Sequence, residues 1–393
     1  MTATSGASVK DTNEETDILV KMARQRFILK SSEVSPETKA EVKQALLDTI
    51  FSESLSGHYT AICSEMAWPV DEAKLKDMKE KTSKYLSDLE EKINDAVENL
   101  GDSEVRDALT AKAEYLCKIG EPKEKRMLAF KIAEEKTVAI GHKLDMVFSQ
   151  LIMSIFDGDF QMMRRLIEKC KQLLEKGGDW ERKNKLKVYE AIYLMATRNF
   201  AEAGDLFLSS VATFTTTELF PYSMLVLYTV ITSIISLDRV TLKKKVVDAP
   251  EILTVIGEMP CLEQLLNSLY DCKYDLFFKA LPQVADLIKK DMFLEAHHRF
   301  FLREIRTVVY SQFLGSYKNV SLDSMASTFG LTSAFLDKEL ARFIVSGALN
   351  CKIDKVSGTV ETLRPDNKNL LYKETIKRGD AVLNKLAKMG SVL

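Results

Sequence analysis

The chain has 393 residues, enough for two or three domains and a sizeable core. Its 55 Lys and Arg against 57 Asp and Glu leave a net charge of −2, which gives no electrostatic basis for binding nucleic acid or an anionic membrane. The 6 cysteines are scattered without a CxxC pair and read as the reduced thiols of a cytosolic or nuclear protein; the N-terminus has no apolar signal core.

Residues 1–16 are small, polar and aperiodic, and are expected to be disordered. Helices are expected over Asp17–Leu29 and Pro36–Phe51, and Trp68-Pro69 marks a turn. Asp71–Leu100 reads as a long charged helix. Its seam is Leu75, Met78, Thr82, Tyr85, Leu89, Ile93, Ala96 and Leu100, at steps of three and four. The charges read as a solvated face of Glu/Lys pairs. The seam needs a partner in this chain or another, and Leu89 is its candidate contact residue. These helices set a first region at 17–100.

A repeat follows over 101–249. Helices end at Ile119-Gly120, Asp157-Gly158 and Thr197-Arg198, so the turn positions lie 38 and 40 residues apart. That period belongs to helix-turn-helix arrays of the tetratricopeptide kind, in which stacked hairpins bury each other's apolar faces. Leu166, Ile167, Cys170, Leu173 and Leu174 form one such face; Leu206, Phe207 and Val211 form part of another. Tyr222–Leu237 is the most apolar run, but Thr229, Thr232, Ser233 and Ser236 interrupt it, and it is shorter than the roughly 20 residues of a membrane span. It reads as a buried helix opened by Pro221.

Residues 250–318 stay helical. Leu253, Ile256, Leu262, Leu265, Leu266, Leu269 and Tyr270 are one apolar set, and Phe277, Phe278 and Leu281 another. Phe293–Tyr317 reads as one long helix with Ile305, Val308, Val309 and Phe313 inward.

The pattern of 319–363 is helix, turn, helix, hairpin: a winged helix. Ser321 caps a helix that buries Leu322, Met325, Ala326 and Phe329 and ends at Gly330. Ser333 caps the second, with Leu336, Leu340, Phe343 and Ile344 inward and Gly347 as the stop. Strands around Leu349–Ile353 and Thr359–Glu361 are joined by a turn at Ser357-Gly358. A DNA-reading helix needs excess positive charge; this one carries Asp337, Lys338, Glu339 and Arg342, which sum to zero. An exposed edge at Thr359 and Val360 suits a protein partner better.

Residues 364–393 comprise a polar linker and a last helix. Tyr372, Ile376, Leu383 and Leu386 recur at steps of four, seven and three, and basic residues occupy much of the remainder. Gly379 interrupts it at a cost of about 1 kcal/mol relative to Ala, which a closely approaching helix would explain. The winged helix has its own core, so this helix is expected to join a bundle with other subunits.

Chemical motifs are sparse. There is no P-loop, and Gly177-Gly178 follows a helix, as a helix-ending turn does. The 4 His form no His-x-His with a downstream Asp. Adjacent His297 and His298 point about 100° apart on a helix and do not readily share a metal; one packed and one solvated is the expected state. Cys63 lies near His58 in sequence, which alone does not make a catalytic pair. Trp68 and Trp180 are expected to pack at helix ends. No catalytic, cofactor-binding or metal site is assigned.

A helical repeat array feeding a winged helix resembles the PCI family, which the proteasome lid, the signalosome and translation initiation factor three share. Gly177–Tyr189, Gly101–Ala108, Ala111–Cys117, Cys351–Val356 and Arg364-Pro365-Asp366 are similar to a proteasome-lid member. The resemblance covers residues 17 to the C-terminus. It implies a mainly α fold: a right-handed, tetratricopeptide-like solenoid, a winged helix and a terminal helix. It further implies a non-catalytic structural subunit of the proteasome regulatory-particle lid that supports degradation of ubiquitinated proteins. Its partners would be other PCI and lid subunits, with the base ATPases as further neighbours, in a hetero-oligomer of the cytoplasm and nucleus. Neither membrane nor nucleic acid is expected as a partner. The contact residues would be Thr359, Val360, Tyr372, Ile376, Leu383 and Leu386, with Leu89. The competing readings are a signalosome scaffold subunit, an RNA-binding initiation-factor adaptor and an enzyme without recognisable motifs.

Overall fold

The computed structural model describes residues 16–31, 34–363 and 367–390. The chain forms two compact units, one from Met1–Leu266 and Pro282–Arg299, the other from Asn267–Leu281 and Phe300–Leu393. Among the described residues no helix is long and apolar enough to cross a membrane.

The first unit opens with α1 (Ile18–Lys30), α2 (Pro36–Ser52), α3 (Ser56–Met66) and α4 (Glu72–Asn99). Asp17 caps α1, accepting a hydrogen bond from the Leu19 N–H. Its own N–H donates to the Glu218 carbonyl (2.8 Å), and Arg24 donates to the Leu219 carbonyl (2.9 Å). These bonds hold the start of the described chain against a segment some 200 positions later, so Thr16 is buried rather than part of a free tail. The rest of the expected disordered segment, 1–15, lies outside the described residues.

The α4 seam finds its partner within the chain. Met78, Thr82, Leu89 and Ala96 are buried against neighbouring α3 and α5 (Asp102–Ile119). Tyr85 is half exposed and packs on Tyr115, with ring centroids 4.3 Å apart. Only Leu100, past the helix end, is exposed in the way a free seam residue would be. The Lys112–Glu90 pair bridges the two helices on the solvent side.

The repeat continues with α6 (Lys123–Lys136), α7 (Ile140–Asp157), α8 (Phe160–Gly177), α9 (Trp180–Ala196), α10 (Phe200–Ser210) and α11 (Tyr222–Ser236). The three expected turn positions are all left-handed: Gly120 at φ 86°, Gly158 at 69° and Arg198 at 71°. Gly120 is also a close-approach site. A Cβ on it would lie 2.7 Å from the His58 ring, and a Cβ on Gly57 would lie 2.3 Å from the Gly120 carbonyl oxygen. Two glycines thus let the start of α3 touch the first repeat turn. Helix α11 is buried on every side, and its Thr229, Thr232 and Ser236 hydroxyls donate to carbonyls four residues back. Three of the four polar interruptions are thus satisfied within the helix and tolerated in a core, while the buried Ser233 hydroxyl finds no hydrogen-bond partner among the described residues.

After α12 (Arg239–Leu242), α13 (Pro250–Ile256), α14 (Pro260–Tyr270) and α15 (Tyr274–Lys289), the chain departs from expectation. Leu253 is exposed rather than inward. The single helix expected over Phe293–Tyr317 begins only at His298, as α16 (His298–Leu314), after a 3-10 turn at Glu295–His297. Buried Asp291 is the cause. It accepts hydrogen bonds from the Phe293 and Leu294 N–H groups and from the Tyr228 hydroxyl (2.5 Å), a turn that competes with helix.

In the second unit α16 leads into β1 (Asn319–Ser321), α17 (Leu322–Phe329), α18 (Ser333–Val345), β2 (Cys351–Asp354), β3 (Thr359–Thr362) and α19 (Asn367–Gly390). Ser321 caps α17 through the Ser324 N–H and Gly330 ends it, as read from the sequence. At α18 the cap position is Thr332, without a side-chain bond, and Ser333 is already helical. The core gathers on Phe329, whose ring lies 5.1 to 5.5 Å from those of Tyr274, Phe278, Tyr310 and Phe313. Strand β1 has no counterpart in the sequence reading. It pairs antiparallel with β3, which also pairs antiparallel with β2, giving the order β1-β3-β2.

Candidate assembly surface

The strand order corrects the assignment of Thr359 and Val360. Val360 pairs with Val320 on one side and Ile353 on the other, and its side chain is fully buried. Thr359, at the end of β3, pairs with Ser321 and Asp354. Neither lies on a free edge; the edges of the sheet are β1 and β2. Leu89 is corrected likewise: it is 4% exposed within its own unit and cannot face another subunit without unfolding.

The winged helix does present apolar side chains, though not the ones the sequence reading chose. Phe335 and Val345 on α18 are exposed, and Val356 at the hairpin tip is 99% exposed. A lone valine beside a turn glycine was the available signal, since a hairpin tip rarely gains from an apolar side chain. On the same helix, one turn after Phe335, Glu339 is buried and accepts from the Tyr310 hydroxyl (2.5 Å) and from Arg306. Burial and this carboxylate push the Tyr310 hydroxyl well above its ordinary range. Of the four charges weighed on that helix, one therefore belongs to the core and not to a recognition face.

Helix α19 carries the larger surface. Tyr372, Ile376, Leu383 and Leu386 are 65, 64, 64 and 57% exposed, and Leu371, Val382 and Met389 beside them are equally open. The residues chosen from periodicity do share one face, and nothing in the described chain covers it. The linker residues Arg364-Pro365-Asp366 lie outside the described residues.

The chemical candidates disperse. His58 is buried, its Nε2 3.2 Å from the Cys117 carbonyl oxygen and its ring edge-on to Phe156. Desolvation lowers its pKa to about 4. Burial pushes the Cys63 thiol up, away from a thiolate, and holds Cys117 and Cys170 up at about 12. His297 donates from Nε2 to the Ala196 carbonyl (2.7 Å) and accepts at Nδ1 from Arg198; His298 donates from Nδ1 to the Glu295 carbonyl, and both are partly exposed. Trp180 is 62% exposed, against the expectation of a packed ring, while Trp68 is half-buried under the Lys43 ammonium. Among the described residues no group of three or more His, Cys, Asp and Glu is placed to hold a metal ion.

Comparison with known proteins fits both units. Residues 71–245 match the family described as 26S proteasome subunit RPN7, and residues 281–364 match the PCI domain. The chain is 50% identical over 372 residues to the 26S proteasome non-ATPase regulatory subunit 6 homolog of Arabidopsis thaliana, covering 95% of this chain and 96% of that one. The chain belongs to the family of 26S proteasome non-ATPase regulatory subunit 6. The Dictyostelium discoideum member is 44% identical over 91% of this chain and 93% of its own. Saccharomyces cerevisiae RPN7 is 35% identical over 95% of this chain and 92% of its own. The helical array and winged helix described above are thus the family's RPN7 and PCI regions, and α19 lies beyond the PCI match.

Proposed function

We propose that this chain is a non-catalytic structural subunit of the proteasome regulatory-particle lid. It supports the degradation of ubiquitinated proteins by holding other subunits in place, in the cytoplasm and nucleus. Family membership supports the regulatory-subunit role. The observation that carries the scaffold reading is α19, a helix of 24 residues whose apolar face no described residue of its own chain covers. A lone helix of that kind is marginal in water and gains its stability from packing. The partners that fit are PCI and lid subunits: a neighbouring winged helix against the α18–wing face, and a helix bundle around α19. Affinity purification of the tagged chain from cell lysate, with the co-purifying proteins identified, tests this. Lid subunits should dominate. Signalosome or initiation-factor subunits in their place would overturn the reading.

A further inference from the structure

The repeat helices are held in register by contacts that recur at nearly one interval. The Thr110 hydroxyl donates to the Met146 sulfur (3.8 Å) and the Cys117 thiol to the Met153 sulfur (3.6 Å), both across 36 positions. Arg182 donates twice to Asp145 (2.9 and 2.8 Å), 37 positions away, and Phe148 packs on Tyr189 with ring centroids 5.4 Å apart. Helices α5, α7 and α9 therefore run side by side in the same direction, with their first residues level. The turns that precede them, at 100–101, 137–139 and 178–179, share one edge of the array. The last two come close there: a Cβ on Gly177 would lie 3.8 Å from Ile140, and one on Gly141 would lie 3.4 Å from the Arg182 guanidinium.

At each of these turns one large apolar side chain faces solvent. Leu100 is 55% exposed, Val138 91% and Trp180, which opens α9, 62%. Packed helices lie roughly 8–10 Å apart, so the three side chains form a row roughly 16–20 Å long. The charge changes along it. Within four residues of Leu100 stand Glu98, Asp102 and Glu104 and no cation; all three are exposed, and none is ion-paired among the described residues. The same window has one carboxylate in excess around Val138 and one cation in excess around Trp180.

We propose that this edge of the array docks a helix of another protein, amphipathic and basic at the end that meets Leu100. The turns contain no strand. An extended peptide laid across them would leave its own N–H and C=O groups unpaired, whereas a helix satisfies them internally. A helix rises about 1.5 Å per residue, so side chains seven apart share a face at about 10.5 Å, close to the spacing of the turns. Apolar residues at one position, and at seven and fourteen beyond it, meet Leu100, Val138 and Trp180. Lys or Arg around the first of them answers the three carboxylates. Trp180 is the anchor, as buried aromatics are in interfaces. This surface is separate from the winged helix and α19, so the inference goes beyond the lid reading and does not depend on it.

The test is a photo-crosslink in the full chain. Benzoylphenylalanine replaces Val138 in a tagged chain expressed in cells, and the crosslinked segment is sequenced by mass spectrometry. One recurrent segment is expected, with apolar residues at steps of three, four and seven and an excess of Lys or Arg at one end. The absence of any crosslink, or a segment that is acidic or lacks that spacing, would overturn the inference. Trp180→Ala should melt like wild type and lower the crosslink yield by about tenfold or more. An unchanged yield would refute the row of contacts, and so would unfolding, which would place the ring in a core. Glu98→Gln with Asp102→Asn should lower the yield about fivefold and weaken its dependence on salt. A yield as high and as salt-dependent as wild type would refute the basic partner. Lid subunits that co-purify with a chain giving no crosslink would leave the lid reading standing and this inference refuted.

Discussion

His58 sits 3% exposed between the Gly120 turn and Phe156, and burial lowers its pKa from 6.5 to about 4. The consequence has a definite sign. The unfolded chain takes up a proton as pH falls through 6.5, whereas the folded chain resists until about 4. Stability is therefore full above 6.5 and is lost on the way down, by about 2 kcal/mol between pH 7 and pH 5. Asp17 and Asp291, raised by burial, work in the opposite sense, so the difference between two proteins is the measurement. Urea titrations of wild type and His58→Gln at pH 7 and pH 5 should show the wild type losing more; equal losses would contradict a neutral buried ring. Leu89 makes a second prediction at this scale. A carboxylate at this 4% exposed position has no partner, so Leu89→Asp should cost about 3 kcal/mol or more and lower the melting temperature sharply. A variant that melts like wild type would mean that the α4 seam is not buried.

Some elements were legible in the sequence for plain local reasons. Gly120, Gly158 and Arg198 end helices in left-handed conformation, and the repeat period could be read from them alone. The cap at Ser321 and the proline that opens α11 are equally local. What was not legible depends on residues far apart. Strand β1 is three residues long and exists because β3 pairs with it across some forty positions. No periodicity could show that β3 is the middle strand. The break before α16 comes from Asp291 meeting Tyr228, 63 positions away. The middle position of β3 makes a prediction. Proline at Val360 removes a backbone donor and forces a ring into a strand paired on both sides, so Val360→Pro should unfold the winged helix rather than merely detach a neighbour. Circular dichroism and thermal melting check it, and a folded variant would return β3 to the edge. Conversely, Val345→Lys with Val356→Lys alters two side chains that are 89 and 99% exposed. It should leave stability within about 0.5 kcal/mol of wild type while weakening association, as pull-down against lid subunits would show; a large loss of stability would place these residues in a core.

At the scale of the whole molecule, the described chain covers the α4 seam and both sides of β3, and leaves the apolar face of α19, with Val345 and Val356 of the winged helix, covered by no described residue. The face of α19 was readable from spacing alone: Tyr372, Ile376, Leu383 and Leu386 are all open. Its emptiness was not, because a seam in sequence looks the same whether its partner lies in the same chain or in another. The α4 seam is the counterexample, since α3 and α5 cover it. The account rests on that difference between two amphipathic helices, and truncation after Asn369 tests it most directly. Gradient sedimentation of lysate, with circular dichroism of the purified truncated chain, should show a protein that remains folded and stays out of the large assembly. A truncated chain that sediments with the assembly, or one that unfolds, would contradict the claim that α19 serves assembly and not the chain's own fold.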